Sequence, residues 1–376
     1  MMRAAALLLA VAVTLVPSPA AISAQARTAQ QPRVMNGRLV SQAAGPGLDA
    51  FSRLVAAQTE PAWIGYSVPT VGGERRLCCG GDNYTSDGIV ISNGRPATCG
   101  LEPGDRSVRT AQGQPAVNQG PVRLEGPDAM MVLYRVEHHA VQRIRIFSPD
   151  CELDAGGLTI HWIDAVNGPD SIRLLSTWVA RTEVTSDRVT DTAISAIAMH
   201  KDEAADTALE RLAAPGEHPE FVRKKVAFWM GHARGRRGFE AVKKIVRDDP
   251  SEDVRKTAMF GLSQSSDTRS VPELVRFARQ DASPNVRGEA IFWLAQKAGQ
   301  RAAAEITAVI ENDPDTEVKK RAVFALSQLP KEDGIPLLIK VAKTNQNPAV
   351  RKQAMFWLGQ TKDPRALEFF AQVLAR

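Results

Sequence analysis

The sequence predicts an α+β protein in which a small, mainly β, disulfide-containing N-terminal domain precedes an all-α solenoid. Two observations carry this prediction. A Val-anchored segment recurs every 32 residues from Val222 to Val350, and a fixed period of this length is the signature of a helical repeat array. In front of the array, apolar residues alternate with others along 130–136 and 141–147, which is typical of half-buried strands.

The first 26 residues indicate that the protein is exported. A charged start is followed by an apolar run from Ala4 to Val16 and by small residues that form A-x-A-like sites ending at Ala24 and Ala26, a pattern typical of secretory signal peptides. We therefore expect cleavage near Ala24 or Ala26 and a periplasmic or secreted protein; the alternative is a retained N-terminal anchor. No later run reaches the roughly 18 apolar residues of a membrane-spanning helix, so no transmembrane segment is expected after cleavage.

The two halves of the chain carry charges of opposite sign. Residues 222–376 contain 28 Lys and Arg against 18 Asp and Glu, a net charge of +10, whereas residues 27–221 contain 18 against 24, a net charge of −6. This difference indicates either that the solenoid docks on the N-terminal domain or that it meets an acidic partner. Export and the lack of interleaved exposed aromatic residues argue against nucleic acid as the partner.

All four cysteines, Cys78, Cys79, Cys99 and Cys151, lie in the N-terminal half. In an exported protein an even number of cysteines predicts disulfides. A bond between the adjacent Cys78 and Cys79 would close a strained ring, so we expect Cys99 and Cys151 each to pair with one of them. A zinc site and a redox-active pair are the alternatives, but the cysteine spacings typical of such sites are absent.

The N-terminal domain is expected over residues 48–180, after a flexible segment over 27–47 that has little periodicity. The two alternating segments predict a hairpin, with residues 137–140 as its turn. Together with a helix they indicate a small antiparallel sheet. The remaining elements predicted are a helix over 48–58, strands over 62–68 and 158–164, and a helix over 170–179.

Three histidines and an acidic stretch are the chemically notable residues of this domain. His138, His139 and His161 are of a type that binds transition metals, but adjacent residues at a hairpin tip point in different directions. The acidic stretch 150–154 lacks the glycine and the closing glutamate of a calcium loop. Because no nucleophile, metalloprotease or phosphate-binding motif occurs either, we predict no catalytic residue, no metal and no cofactor.

Each 32-residue unit is predicted to be a helical hairpin. With Val as position zero, apolar residues at positions zero, four and eight form one stripe. Apolar residues at positions five and six, the latter always Phe, widen the stripe, so the first helix is buried on most sides. A second apolar stripe at positions 17, 20, 23 and 24 predicts an amphipathic second helix.

An acidic residue, Val-Arg, Ala, Phe, Leu and a small residue recur in this order over residues 222–376. This pattern resembles HEAT repeats of the short bacterial type that also occur in phycobilin lyases. A degenerate copy over 190–221 extends the expected solenoid to 190–376. The resemblance implies a right-handed superhelix of helix pairs that binds other macromolecules, with the second helices on its concave side. It does not imply lyase activity, because many non-enzymes share the repeat.

Further positions repeat along the array, and each is interpreted as contributing to its packing. Position one is basic, and the fifth residue before Val is acidic or Asn, which predicts capping and ion pairs. Trp at position seven alternates with Gly or Ala, as in interdigitating layers, and Gln at position ten is expected to satisfy carbonyls at the helix end. The residues are Arg223, Arg255, Arg287, Lys319 and Arg351; Glu217, Asp249, Asp281, Asp313 and Asn345; Trp229, Trp293 and Trp357; and Gln264, Gln296, Gln328 and Gln360.

The candidate binding surface is the polar side of the second helices, at positions 22 and 25. On a concave groove, basic side chains at these positions would attract an acidic protein partner. An ordinary solvated helix face is the alternative interpretation. The predicted partner-binding residues are Lys244, Arg247, Arg276, Arg279, Lys340 and Lys343.

The function predicted is that of an exported, non-enzymatic scaffold or regulator that binds a protein partner through its solenoid. The alternative is an enzyme or ligand-binding protein with its site in the N-terminal domain, which a pocket at the junction containing His138, His139 or His161 together with acidic residues would favour. A closed core at the junction would favour the scaffold. A third hypothesis is that the basic groove clamps the protein's own acidic domain.

Overall fold

The N-terminal region of the protein contains two sheets within the residues described by the computed structural model, which are 31–71, 77, 98–102, 128–180 and 187–375. Its helices are α1 (Asp49–Ala57) and α2 (Gly168–Ala180), both where the sequence predicts them. Its strands are β1 (Arg33–Met35), β2 (Arg38–Ala43), β3 (Ala62–Pro69), β4 (Thr98–Gly100), β5 (Ala129–Glu137), β6 (Ala140–Phe147), β7 (Glu152–Asp154) and β8 (Thr159–Asp164).

The larger sheet is mixed, with the strand order β2-β8-β3-β5-β6. The predicted hairpin is confirmed, because β5 and β6 pair antiparallel, and β3 pairs antiparallel with β5. The expectation of a purely antiparallel sheet is wrong for the other half, where β8 pairs parallel with both β2 and β3. Side-chain alternation is the same in parallel and antiparallel strands, so the sequence pattern does not reveal strand direction.

Residues 33–43, which composition places in a flexible segment over 27–47, form β1 and β2. β1 pairs parallel with β7, and β2 pairs parallel with β8. Most side chains of the two strands are exposed or only half-buried. Such strands leave little hydrophobic periodicity, and their partners lie far along the chain. This corrects the expectation of a flexible segment for these residues.

Two cores form in the N-terminal region, because side chains alternate between the faces of the central strands. Trp63, Leu133 and Trp162 point to one face of the larger sheet, where they pack with residues of the three-stranded sheet β1-β7-β4 such as Leu153. Tyr66 and its neighbours on the same strands point to the other face, against the helices. This second core continues without interruption into the helical array, so the sheet is covered on both faces.

Helix pairs continue the chain from residue 187 to residue 374. A degenerate pair, α3 (Asp187–Met199) and α4 (Ala204–Leu212), comes first, and the five Val-anchored units follow as the predicted hairpins. The first helices are α5 (Glu220–Ala233), α7 (Glu252–Gln264), α9 (Pro284–Ala298), α11 (Thr316–Ser327) and α13 (Pro348–Gln360). The second helices are α6 (Gly235–Asp248), α8 (Ser270–Gln280), α10 (Ala303–Asn312), α12 (Lys331–Thr344) and α14 (Pro364–Leu374). In the described part of the chain, no helix is long and apolar enough to cross a membrane.

First helices lie closer together than second helices. A Cβ at Gly231 of α5 would stand 2.1 Å from the carbonyl oxygen of Gly261 in α7, and one at Gly261 would stand 2.5 Å from that of Ala227. α5 and α7 are thus in backbone contact, and later first helices also approach one another more closely than second helices, which meet mainly through long charged side chains. A stack that is tight on one side and loose on the other bends toward its tight side. The closer spacing of the first helices therefore indicates that they line the concave side, in contrast to the expectation that the second helices do so.

The predicted ion pairs between position one and the turn are present in the first and third units, and Arg255 of the second unit lies 3.8 Å from Asp281. Arg223 binds Asp249 through two hydrogen bonds of 2.9 and 3.1 Å, and Arg287 binds Asp313 through two of 2.8 and 3.0 Å. These four side chains are almost fully buried. Removing one partner of such a pair leaves a buried charge, at a cost of about 3–5 kcal/mol. The pairs hold α5 and α9 to the turns that follow their own units.

In α7, α9, α11 and α13 the capping residue lies two positions after the acid or Asn of the turn. Asp249 accepts a hydrogen bond from the Ser251 amide at 2.9 Å and so braces the turn. The Ser251 hydroxyl then accepts from the amide of Val254, as an N-cap does. The same brace and cap recur at the later turns. The predicted cap at the acid itself is therefore replaced by a turn brace.

Candidate interaction surfaces

The basic residues predicted to bind a partner are spread along the second helices, and half of the six are neutralised by neighbouring carboxylates. Each guanidinium is held by an acid on its own helix or on the next second helix, so the surface carries less free positive charge than positions 22 and 25 indicate. The ion pairs are Arg247–Asp248 at 2.6 Å, Arg276–Glu273 at 2.7 Å, and Arg279–Glu305.

The three predicted lysines on this surface are exposed. Lys244 lies on α6, and Lys340 and Lys343 lie on α12. The Lys343 ammonium stands 5.5 Å from the centre of the Phe369 ring, within cation–π distance. Because α6 and α12 belong to units one and four, the lysines do not form one continuous basic groove. They also lie on the convex side.

A continuous row of aromatic rings runs along the concave side. It consists of the Phe residues of position six and the Trp residues of position seven, and we call it the aromatic ladder. From Phe228 in α5 to Phe356 in α13, the ring centres of consecutive members lie 4.5–5.9 Å apart. The contacts that cross from one unit to the next are Phe228–Phe260, Phe260–Trp293, Phe292–Phe324 and Phe324–Trp357.

The aromatic ladder is partly core and partly surface. Trp229 is 7% exposed, and Trp293 and Trp357 are half-buried against the core, in keeping with their interpretation as packing residues. The Phe residues are half-buried in four units, and Phe356 is 52% exposed. Ring stacking contributes about 0.5–1.5 kcal/mol per pair beyond burial. The ladder therefore stiffens the array and still offers ring edges to a ligand.

Exposed side-chain amides lie beside the aromatic ladder. Positions six and ten are four residues apart, so they share one helix face. Gln264 donates to the Ser263 hydroxyl at 3.3 Å, and Gln328 makes the equivalent contact with Ser327 at 3.1 Å. These two side chains thus bond a hydroxyl instead of the helix-end carbonyls expected. A primary amide both donates and accepts hydrogen bonds. The residues of this amide row are Gln264, Gln296, Gln328 and Gln360.

The histidines considered as metal ligands occupy two different elements. His138 and His139 form the tip of the β5–β6 hairpin with φ of 52° and 59°, as a type I′ turn requires. Both side chains are exposed, and their amides donate to the carbonyls of Thr59 and Gln58. His161 lies on β8, where burial lowers its pKa. Among the described residues, no three His, Cys, Asp or Glu side chains are grouped so that they could hold a metal ion.

Two of the cysteines lie in the core between the two sheets. Cys99 on β4 and Cys151 before β7 are both buried there, and the described portion of the chain has no free cysteine. Cys78 and Cys79 lie outside the described residues. The pairing of Cys99 and Cys151 with these two stays a prediction.

A buried polar network lies where the larger sheet meets the helices. The Tyr66 and Tyr134 Oη atoms are 2.7 Å apart, and Ser171 Oγ lies 2.8 Å from Tyr66 Oη and 2.9 Å from His200 Nε2. His200 Nδ1 lies 2.7 Å from the carbonyl oxygen of Ala196, which only accepts, so this nitrogen carries the proton. Burial lowers the pKa of His200 to about 4 and raises the pKa of Tyr66 to about 12. The whole network is neutral and fully buried at pH 7.

The end of β3 is joined to the turn between α3 and α4. The Val71 amide donates to Met199 O at 2.8 Å, and the Lys201 amide donates to Pro69 O at 3.0 Å. The Thr70 hydroxyl also donates to Met199 O, at 2.7 Å. Main-chain hydrogen bonds therefore connect the sheet directly to the first helix pair of the array.

Arg234, between α5 and α6, also binds the turn between α3 and α4. Its Nε donates to Asp206 Oδ1 at 2.6 Å, and both side chains are nearly fully buried. Its remaining nitrogens donate to the carbonyl oxygens of Ala198, His200 and Asp202. One guanidinium thus holds the α3–α4 turn to the first Val-anchored unit.

Comparison with known proteins finds a match in the helical region of the chain. The family model of HEAT repeats matches residues 239–310 and 303–376. No curated protein matches the chain.

Solved structures similar to the chain include human deoxyhypusine hydroxylase in complex with glycerol, which is 14% identical, with 56% of this chain and 80% of that chain covered at a TM-score of 0.30. The CpcE–CpcF complex of phycocyanin lyase from a Nostoc species is 17% identical, with 41% and 98% covered at a TM-score of 0.32. The YibA protein of Escherichia coli is 22% identical, with 49% and 67% covered at a TM-score of 0.33. The family match and the helix pairs in register identify residues 239–376 as a segment of HEAT repeats.

Proposed function

We propose that the protein is an exported, non-enzymatic scaffold or regulator that binds a protein partner on the concave side of its HEAT repeats. The observation that carries the proposal is the aromatic ladder with the amide row beside it. The partner surface is therefore assigned to the first helices rather than to the basic positions of the second helices. The net charge of +10 over residues 222–376 favours an acidic partner.

The arrangement of rings and amides suits an extended polypeptide segment. Packed helices are about 8–10 Å apart, and an extended chain advances about 3.3 Å per residue. One unit therefore spans about three residues of such a segment. Its main chain would bond the Gln amides, and its apolar side chains would lie against the Phe rings.

The non-enzymatic character of the proposed scaffold is supported by the junction between sheet and array. A closed core at the junction favours a scaffold over a site there, and the described residues of the junction form such a core around Tyr66, Tyr134 and His200. His138 and His139 lie at an exposed hairpin tip instead. Export is supported by the signal-like pattern of the first 26 residues.

Site-specific photocrosslinking in intact cells tests this proposal. A photoreactive phenylalanine analogue is placed at Gln296, an exposed member of the amide row, and in a matched variant at Lys244, an exposed residue on the convex side. Neither position is buried, so both variants should fold. We expect a discrete adduct with a second protein from position 296 and none from position 244, recovered in the periplasmic or secreted fraction.

The opposite pattern would contradict the assignment. An adduct from position 244 alone would place the binding surface on the second helices. Adducts from neither position, in cells where the protein is present at its normal level, would remove the scaffold proposal. Recovery only from the cytoplasmic fraction would remove export.

A further inference from the structure

Two ion pairs that close the space between units are both missing in the fourth unit. In the third unit Arg287 binds Asp313, whereas the fourth unit has Lys319 and Asn345 at the same positions. Lys319 donates instead to the main-chain oxygen of Glu311 at 3.0 Å. The ammonium therefore lacks the turn carboxylate that its counterpart Arg287 binds.

The second missing pair concerns neighbouring second helices. Arg279 of α8 binds Glu305 of α10. One unit later the same two positions hold Glu311 in α10 and Leu337 in α12, which cannot form an ion pair. α10 and α12 are therefore not bridged at the point where α8 and α10 are.

A cavity of about 240 Å³ opens where the two pairs are missing. It lies between α10, α12 and the start of α11, and both Lys319 and Lys340 line it. Asn345 binds the Asn347 amide through Oδ1 at 3.0 Å, so its NH₂ group remains as a donor. Two lysines and a single acidic residue, Glu311, are among the lining residues, which leaves the cavity with an excess of positive charge.

We propose that this cavity binds a small carboxylate ligand, whose oxygens take the place of the aspartate that Asn345 replaces. Ammonium groups bind carboxylates through charge-assisted hydrogen bonds, which are about twice as strong as neutral ones. Sites for drug-sized ligands measure about 300–1,000 Å³, so this smaller cavity fits a compact dicarboxylate. It lies on the second-helix side, away from the aromatic ladder, and its test is therefore independent of the proposed function.

Thermal unfolding of the full chain with succinate as the probe tests the site, with sodium chloride of equal ionic strength and neutral succinamide as controls. A ligand that binds only the folded state raises the Tm in a saturable way. We expect such a rise with succinate and none with succinamide. Lys340→Gln, at an exposed residue, should weaken the affinity about tenfold.

Asn345→Asp is the matched variant, because it restores the residue type of the earlier turns. It should raise the Tm without ligand and weaken succinate binding at least about tenfold, since the new carboxylate pairs with Lys319 and repels the ligand. Glu311→Gln should strengthen binding. The absence of a saturable rise in the wild type, or a rise undiminished in both Asn345→Asp and Lys340→Gln, would overturn the site.

Discussion

The surroundings of His200 favour one protonation state. Both ring nitrogens are within hydrogen-bond distance of buried oxygens, and the side chain is fully buried. Desolvation is the main cause of its lowered pKa, and the nearby charge of Arg234 lowers it further, while the Ala196 carbonyl and Asp202 oppose the shift. A protonated ring would therefore have to be accommodated in a closed core.

The unfolding free energy should consequently fall as the pH is lowered through the range from 6.5 to about 4. In this range the unfolded chain takes up a proton at His200 that the folded chain excludes, which destabilises the fold by roughly 3 kcal/mol at the acid end. Urea unfolding of wild type and His200→Gln at pH 7 and pH 4 measures the effect. Equal losses of stability in the two proteins would show that His200 does not carry it.

Asp267 and Asp363 have pKa values lowered to about 2 by hydrogen bonds from Arg269 and Arg365. Their stabilising contribution is present above the ordinary aspartate pKa and is lost as the pH falls below about 4. The loss of unfolding free energy due to His200 therefore occurs at a higher pH than the loss due to the two aspartates. For this reason the urea unfolding experiment compares pH 7 with pH 4 and goes no lower.

At the scale of elements, small residues let the first helices α5 and α7 touch. Gly231 faces the backbone of Gly261 so closely that a Cβ would stand 2.1 Å from its carbonyl oxygen. Gly359 occupies the same position nine in the last unit, and a Cβ there would meet nothing within 4 Å. Glycine at position nine is thus required by helix packing in the first unit, whereas the last unit has room for a larger side chain there.

Alanine substitutions at these two glycines should have opposite effects. Gly231→Ala should push α5 and α7 apart and lower the unfolding free energy by about 1–3 kcal/mol, as overpacking does. Gly359→Ala should raise it by roughly 0.5 kcal/mol, because alanine favours the helix. Chemical denaturation of both variants measures the difference, and a neutral Gly231→Ala would refute the close backbone packing.

At the scale of the whole molecule, the sheet and the array form one structure with a shared core. The sheet packs on α2 and α3, and main-chain hydrogen bonds join β3 to the turn at Met199 and Lys201. The basic positions of the second helices play no role in these contacts. The described junction is therefore held together by contacts other than the proposed clamping of the acidic domain by a basic groove.

Arg234→Ala should loosen this junction without affecting the far end of the array. It leaves the buried Asp206 carboxylate with only the longer contact to Arg237, at 3.8 Å, at a cost of up to about 3–5 kcal/mol, whereas repeat arrays transmit such losses mainly to their neighbours. Hydrogen exchange should accelerate at the amides of Val71 and Lys201 and remain unchanged in α11–α14. Arg247→Ala, at an exposed ion pair, is the control and should change neither region; uniform acceleration along the whole array would contradict a local role.

The sequence by itself determined the helical array, its register and the ion pairs of position one, because a fixed period superimposes equivalent residues and local spacing then decides which side chains can meet. It also determined the β5–β6 hairpin, since both strands and their turn are contiguous. These contacts depend on residues of one unit or one hairpin. Their geometry follows from helix and strand periodicity alone.

Tertiary structure alone decided which face of the array is concave, the direction of β8 and the cavity in the fourth unit. Curvature depends on how closely successive helices approach. The close approach of α5 and α7 at Gly231 depends on Gly261 lying opposite it, which the sequence of one unit does not show. The polar residues Tyr66, Ser171 and His200 stand out in apolar segments, but their partnership joins three distant elements. The repeat pattern therefore identifies the scaffold, while the surfaces that it offers to a ligand follow from packing between units, which no single unit encodes.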